Sequence, residues 1–265
     1  MLVRNTSARL AIWLTFGVIV AVLIVTPIVV TAMTAFATSW NSVLPSGVTT
    51  DHLADTLSPE NLDSVAVSIQ TAVTASAIAV VIGTWAALAA RKAPPKLRAV
   101  IDTMYHLPVA VPSVVIGLAA LIAFSKPPLV LNGTPSIVIL VQSLLVLSFA
   151  FSMVSAAAKS LDPALDRVAD SLGASPARTL FTVTLPLLAP AIAAAAGLSV
   201  ALCMGELGAA IMVYPASWRT LPVTIFTQSD RGDLFSAAAN TLLLVLVSVA
   251  ILGLLSRIRS RAQVR

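Results

Sequence analysis

The stretch "LDPALDRVADSLGASPARTLFTVTLP", Leu161 to Pro186, is polar and heavily punctuated, and it lies between two long apolar runs. Asp162 ahead of Pro163 reads as a helix start: the aspartate side chain accepts a backbone N–H and proline suits the first turn. Leu161, Leu165, Val168 and Leu172 then recur at helical spacing as one apolar stripe, with Asp166, Arg167 and Asp170 on other faces. Gly173 is a natural helix stop. Ser175 ahead of Pro176 is a second start, carrying Ala177, Leu180 and Phe181, and Pro186 closes the segment. The pattern predicts helix, sharp glycine turn, helix. Its apolar stripe has to be covered, either by the neighbouring apolar runs of the same chain or by a partner.

Working outward, the composition sets the solvent. The chain has 58% hydrophobic and 10% charged residues and a mean hydropathy of +0.98. A soluble domain carries about 25% charged residues, so these charges cannot cover a surface in water. The class is all-α integral membrane protein. One cysteine, Cys203, excludes an internal disulfide and a cysteine metal cluster, and His52 and His106 lie far apart with no ligand spacing. No metal site, no catalytic group and no bound cofactor is expected. No glycine-rich phosphate loop occurs, so any ATP is bound on another chain.

A membrane span needs about 20 mainly apolar residues. Six stretches qualify: 10–36, 64–90, 107–124, 136–158, 187–213 and 236–256. The first is longer than a signal-peptide core of about 7–15 residues and reads as a retained span. With the N-terminus cytoplasmic, the inner segments hold Arg4 and Arg9, then Arg91, Lys92, Lys96 and Arg98, then Lys159, Arg167 and Arg178, then Arg257, Arg259, Arg261 and Arg265. The outer segments hold Lys126, Arg219 and Arg231. Thirteen bases against three put both termini inside. The pI near 10.0 then reflects bases facing anionic inner-leaflet lipid, not nucleic acid. The expected organisation is a first span with its outer loop (1–63), a core (64–256) and a basic cytoplasmic tail (257–265). The outer loop 37–63 carries Asp51, Asp55, Glu60 and Asp63 and no base. It is either a solvated loop or a docking surface for an external partner.

Glu206 is the one carboxylate well inside a span. A charge at mid-bilayer costs about 2.5–3.5 kcal/mol on insertion scales, so Glu206 has to face protein or water, or be protonated. It either packs as a hydrogen-bonded residue or lines a solute pathway. On the same run Ala193, Gly197, Ala201, Gly205 and Ala209 fall four apart, a small-residue ridge that lets helices approach closely. Alanine is frequent enough here for chance to produce it. Pro112 inside the third span frees a carbonyl and bends the helix, which is tolerable only where protein or a water-filled cavity answers it. Gln70, Gln142, Ser113, Ser148, Ser152 and Asn240 read first as hydrogen-bonding glue between helices. Trp13, Trp40, Trp85 and Trp218 sit near span ends, as interfacial anchors do.

The loop resembles the cytoplasmic "EAA" loop of permease subunits of binding-protein-dependent ABC importers: an acidic residue with small residues, then a glycine, then an apolar stretch ending in Leu-Pro. Asp166-Arg167-Val168-Ala169 precedes Leu172-Gly173-Ala174-Ser175, and Leu185-Pro186 closes it. The acidic residue is Asp rather than Glu, and Arg167 and Val168 stand where small residues are common. Gly205-Glu206-Leu207-Gly208-Ala209 is similar to the "GEFGA" segment of permeases for molybdate, sulfate and phosphonate, and "LPVAVPSVVIG" (107–117) to their proline-rich third span. "KPPLVLNGT" (126–134) and "MGELGAAIMVYPASWRTLPVTIF" (204–226) look most like 2-aminoethylphosphonate permeases. The resemblance covers about residues 64 to 255.

The resemblance implies the six-helix, MetI-like permease fold of type I ABC importers in the inner membrane. It implies a cytoplasmic ATPase dimer holding ATP and Mg, a second permease subunit, and an extracytoplasmic substrate-binding protein. Asp166, Arg167, Ala169, Leu172, Gly173, Ala174, Ser175, Pro176, Leu185 and Pro186 would couple to the ATPase. Glu206, Gly205, Gly208, Pro112 and Ser113 would lie along the pathway of a small oxyanion such as 2-aminoethylphosphonate. The chain would form half of that pathway and catalyse no covalent step. The rival is an ATP-independent carrier using Glu206 for ion coupling; an intramembrane enzyme would need paired carboxylates, Ser-Lys or His ligands at matched depth, and the sequence offers none. Gly173→Val is expected to leave the chain inserted but to uncouple it, because a β-branched residue resists the positive φ expected there. ATP-driven uptake by the reconstituted transporter checks this, and unchanged uptake would remove the coupling role.

Overall fold

Apolar runs with no water beside them have to close their backbone hydrogen bonds within themselves, and helix does this locally. In the computed structural model the chain is described over residues 6–263, with side chains over 7–255. In order it forms α1 (Thr6–Ala35), a two-stranded antiparallel hairpin β1 (Ala37–Ser39) and β2 (Ser46–Val48), and α2 (Asp51–Asp55). There follow α3 (Pro59–Lys92), α4 (Pro95–Ala110), α5 (Ser113–Ala123) and α6 (Pro135–Ser160). The last part holds α7 (Ala164–Ser171), α8 (Pro176–Thr179), a π-helical turn Leu180–Thr184, α9 (Leu185–Met204), α10 (Ala210–Val213), α11 (Leu221–Asp230) and α12 (Leu234–Gln263). Among the described residues five helical stretches are long and apolar enough to cross a membrane alone, and α4 with α5, bent by 101°, make a sixth when taken together. Arg4 and Arg265 lie outside the described residues, as do the side chains of Arg257, Arg259 and Arg261.

The chain divides into two compact units. One holds the residues up to Leu62 together with Ile225–Val245; the other holds Asp63–Thr224 and resumes at Leu246. In the first, α1 is apolar and exposed along most of its length, with Trp13 66% exposed, as lipid-facing helix should be. Its end, Ala35, is buried with Ala238 and Ala239. The Asn240 amide donates to Asn61 Oδ1 (3.3 Å) and Gln228 Oε1 (3.0 Å), so this polar residue does join helices. The loop 37–63 is no simple coil: Ala37 pairs with Val48 and Ser39 with Ser46 in the hairpin, and His52 stacks on Phe235.

The second unit is built on α6, the most buried span. Phe151, Val154 and Leu188 form one core with Ala87 and Ala90, and Ile137, Val138 and Val141 form another with Ala209 and Val213. α4 is fastened to it by the Tyr105–Phe151 stack at 4.6 Å, by His106 against Ser152 Oγ (2.9 Å), and by Lys159 to Asp102 (3.3 Å). Arg98 donates to the carbonyls of Ala90 (3.0 Å) and Arg91 (2.9 Å), satisfying the open end of α3. Trp218 is tied by its indole N–H to Thr71 Oγ1 (2.9 Å), a tertiary bond and not only an interfacial anchor.

Two expected spans are interrupted. The third, expected over 107–124 as one helix, is α4 and α5 meeting at Val111–Pro112. Val111 is driven to extended backbone (φ −104, ψ 131) by the proline after it, and Pro112 (φ −55, ψ 137) starts α5. The fifth, expected over 187–213, stops at Met204, and Gly205–Ala209 leave the helix before α10. Gly205 and Ala209 therefore do not continue a helical ridge with Ala193, Gly197 and Ala201. The interruption lets the backbones close up: a Cβ on Gly117 would sit 2.7 Å from the Ala209 carbonyl oxygen.

At Gly83 of α3 a Cβ would lie 2.9 Å from the Phe151 backbone nitrogen, whereas at Gly197 it would meet nothing within 4 Å. Gly83→Ala is expected to lower the midpoint of thermal unfolding in detergent by several degrees, since overpacking costs about 1–3 kcal/mol. Gly197→Ala is expected to hold or raise it, alanine being favoured in helix by about 0.5–1 kcal/mol. A thermal-shift comparison of the two variants checks the packing.

Candidate functional site

The loop 161–186 folds as its punctuation requires. Asp162 Oδ1 accepts the Ala164 N–H (2.8 Å), and Ser175 Oγ accepts the Arg178 N–H (3.3 Å). Between them Gly173 takes φ +77. The Gly173 N–H donates to Asp170 O and the Ala174 N–H to Ala169 O, both 3.0 Å, which closes the end of α7 with a left-handed glycine. The second helix differs from expectation. Pro186 does not end it: the chain stays helical from Pro176 to Met204. The π-turn makes this possible, because the Leu185 N–H reaches back to Leu180 O across a widened turn, and Pro186 enters helix with no N–H to place.

Of the apolar stripe of this loop, Leu161 packs against the core of Phe151 and Leu188, and the rest is left uncovered. Leu165 is 38%, Val168 56%, Leu172 81% and Phe181 61% exposed. Arg167 and Pro176 are also exposed, Ala169, Ala174 and Leu185 are half-buried, and Pro186 is exposed. Asp166 is held differently. Its Oδ2 lies 3.2 Å from Arg91 at the end of α3, so α7 is fixed by charge to the span that Arg98 caps. No sequence spacing announces this pair, because 75 positions separate its members.

The two helix interruptions meet around a cavity of about 190 Å³. Its wall comes from the end of α4 and start of α5 (Pro108, Val109, Val111, Ser113), from α6 (Gln142, Leu145, Val146, Phe149), and from Leu202, Cys203 and Glu206. Glu206 has two roles here. Its Oε1 accepts the Ala209 N–H at 2.6 Å, answering a backbone group that the break releases. It also lines the cavity. Gly208 packs where a Cβ would run into Ser113 Oγ. Pro112 is exposed and makes the bend, and Gly205 is exposed with open space where a Cβ would stand. Of the five expected pathway residues, Glu206 and Ser113 line the cavity, and the other three shape the backbone around it. Gln142 and Ser148, read first as joining helices, do not do so: neither the Gln142 amide nor the Ser148 hydroxyl makes a hydrogen bond among the described residues. The available signal was a polar group at mid-span, which does not distinguish the two outcomes.

The comparisons agree with this architecture. Residues 79–264 match the family of binding-protein-dependent transport system inner membrane components. The chain is 40% identical, over 98% of both chains, to the putative 2-aminoethylphosphonate transport system permease protein PhnV of Salmonella paratyphi A. It is 27% identical to the molybdenum transport system permease protein ModB of Mycobacterium bovis, over 75% of this chain and 80% of that one. Among solved structures it superposes on a chain of a bacterial alginate ABC transporter with a TM-score of 0.76 and 19% identity, covering 95% of this chain and 94% of that one. It superposes on a chain of the MetNI methionine ABC transporter with a TM-score of 0.64 and 16% identity, covering 76% and 95%. The family match leaves the ATP-independent carrier without support. The chain belongs to the binding-protein-dependent transport permeases: it is a multi-pass inner-membrane permease subunit of an ABC importer, without a cofactor of its own and not an enzyme.

Proposed function

We propose that this permease forms half of the pathway of an importer for 2-aminoethylphosphonate. The observation that carries the solute is the 40% identity over 98% of the chain to a putative permease for that compound. The molybdenum permease stands further off, at 27%. Arg219 follows the fifth span on the expected outer side, where a base favours arrival of an anionic phosphonate.

The exposed stripe of α7 supports docking of an ATPase. Leu165, Val168 and Leu172, with Phe181 of the π-helical turn, leave apolar surface open, and covering it returns about 25 cal/mol per Å². A cytoplasmic ATPase dimer, holding ATP and Mg, is the partner this loop resemblance implies. Asp166, Arg167, Ala169, Leu172, Gly173, Ala174, Ser175, Pro176, Leu185 and Pro186 form the coupling element. The helix from Pro176 to Met204 links it without a gap to the Glu206 break, so a push on the loop moves the cavity wall. Glu206, Gly205, Gly208, Pro112 and Ser113 lie along the pathway. A second permease, the same or homologous, completes it, and the binding protein delivers solute from outside. Both termini face the cytoplasm on the distribution of Lys and Arg.

Reconstitution with its cognate ATPase and binding protein tests the proposal. ATP-dependent uptake of labelled 2-aminoethylphosphonate is expected; uptake of molybdate in its place would overturn the solute. Leu172→Asp changes a side chain 81% exposed, so the chain should fold as before. Co-purification of the ATPase is expected to fall about tenfold or more, the effect of roughly 1.4 kcal/mol at an interface. Full recovery of the ATPase with this variant would exclude the stripe as the docking surface.

A further inference from the structure

The apolar runs of α3 and α6 both end in bases. Arg91 and Lys92 follow the first run directly, and Lys159 follows the second. With Arg98 of α4 they line one cavity of about 340 Å³, which has Ala158 and Leu161 in its wall. Asp166 is the one carboxylate on that wall, and it is taken: its Oδ2 lies 3.2 Å from Arg91. Lys159 has its own partner in Asp102, at 3.3 Å, which does not line the cavity. Lys92 and Arg98 have no carboxylate partner among the described residues. Arg98 caps α3, but its bonds run from Nε and Nη2 to neutral carbonyls. Its Nη1 makes none among the described residues and stays open to the surface. Two positive charges are therefore left without an anion at one opening. The preference of inner segments for Lys and Arg explains the side on which these bases lie, and not their convergence on one cavity.

We propose that Arg91, Lys92, Arg98 and Lys159 hold the phosphate ester of an anionic lipid at the inner face of the membrane. Phosphate oxygens accept from ammonium and guanidinium donors, and a guanidinium can engage two of them at once. The place of the cavity in the fold favours a lipid as the source of that phosphate. It opens where the apolar runs of α3 and α6 stop, which is the level of the headgroups. Juxtamembrane bases are drawn to the anionic lipids of the inner leaflet. On α4, Leu97, Val100, Met104 and Leu107 recur at helical spacing and are each at least half exposed, so an apolar stripe for acyl chains starts beside Arg98. The volume of about 340 Å³ equals roughly eleven waters at about 30 Å³ each, room for a phosphate and its glycerol. None of these residues lines the Glu206 cavity, so the site is independent of the solute proposed above.

The test uses the full chain, purified and stripped of lipid in a neutral detergent, with bound lipid counted by native mass spectrometry. The probes are phosphatidylglycerol, phosphatidylcholine and glycerol 3-phosphate. One phosphatidylglycerol per chain is expected to bind, and phosphatidylcholine at least about tenfold more weakly. Lys92→Gln removes an exposed charge that no carboxylate pairs, so the chain should fold as before. It is expected to weaken phosphatidylglycerol about fivefold, the effect of one base at an anionic membrane surface. Lys96→Gln removes a base equally exposed but outside the cavity wall, and is expected to change the affinity by less than about twofold. Equal losses in the two variants, or phosphatidylcholine bound as well as phosphatidylglycerol, would overturn the site and leave only diffuse attraction to a basic face. Release of the bound lipid by an equal concentration of glycerol 3-phosphate would retain the phosphate site and overturn lipid as its source. No bound phosphatidylglycerol on the wild-type chain would overturn both.

Discussion

Inside lipid, a backbone N–H or C=O that leaves its helix has no water to bond, and each unmet group costs several kcal/mol. The architecture of the membrane core follows from how this chain meets that constraint at its interruptions. At Pro112 the Val115 and Ile116 N–H groups reach back to the Pro112 carbonyl and start α5 at once. At Gly205–Ala209 the Glu206 carboxylate takes the freed Ala209 N–H. At Leu180–Thr184 a π-turn carries the helix into Pro186. Each departure is answered locally, so the departures persist as built features and not as local unfolding.

Because the two breaks are satisfied, they can be packed against each other. Gly117 and Gly208 remove the side chains that would hold α5 away from the 205–213 segment. What this leaves is a small, half-open and mostly apolar cavity with the Glu206 carboxylate on its wall. A carboxyl group is tolerable there because it meets a backbone N–H and a cavity, not hydrocarbon.

The loop 161–186 has the opposite problem, apolar surface left exposed. Its backbone is closed tightly by the Asp162 and Ser175 caps and the Gly173 turn, and the Arg91–Asp166 pair sets its place under α3. A rigid element that leaves its stripe uncovered is suited to a partner. Beyond the Gly173 turn, the second half of the loop runs from Pro176 into α9 as one helical stretch ending at Met204.

Composition alone determined that lipid is the solvent, because so few charges cannot coat a surface in water. Residue order determined the six crossings, the glycine turn at 173 and the caps at Asp162 and Ser175, because each depends on neighbours within a few positions. Pro112 announced a bend by the same local logic. The end of the fifth helix at Met204 was not legible, since Gly205 and Gly208 are tolerated within apolar helices and only packing on α5 makes leaving the helix worthwhile. The passage through Pro186 was hidden likewise, because a π-turn leaves no residue signature as plain as a cap. Gln142 and Arg91 were the larger omissions. Arg91 meets Asp166 from a distant part of the chain, Gln142 and Glu206 come from different helices to one cavity, and periodicity carries no information on such meetings. Local chemistry is written in the order of residues; which polar groups find partners, and which are left facing a cavity, is decided only when the helices pack.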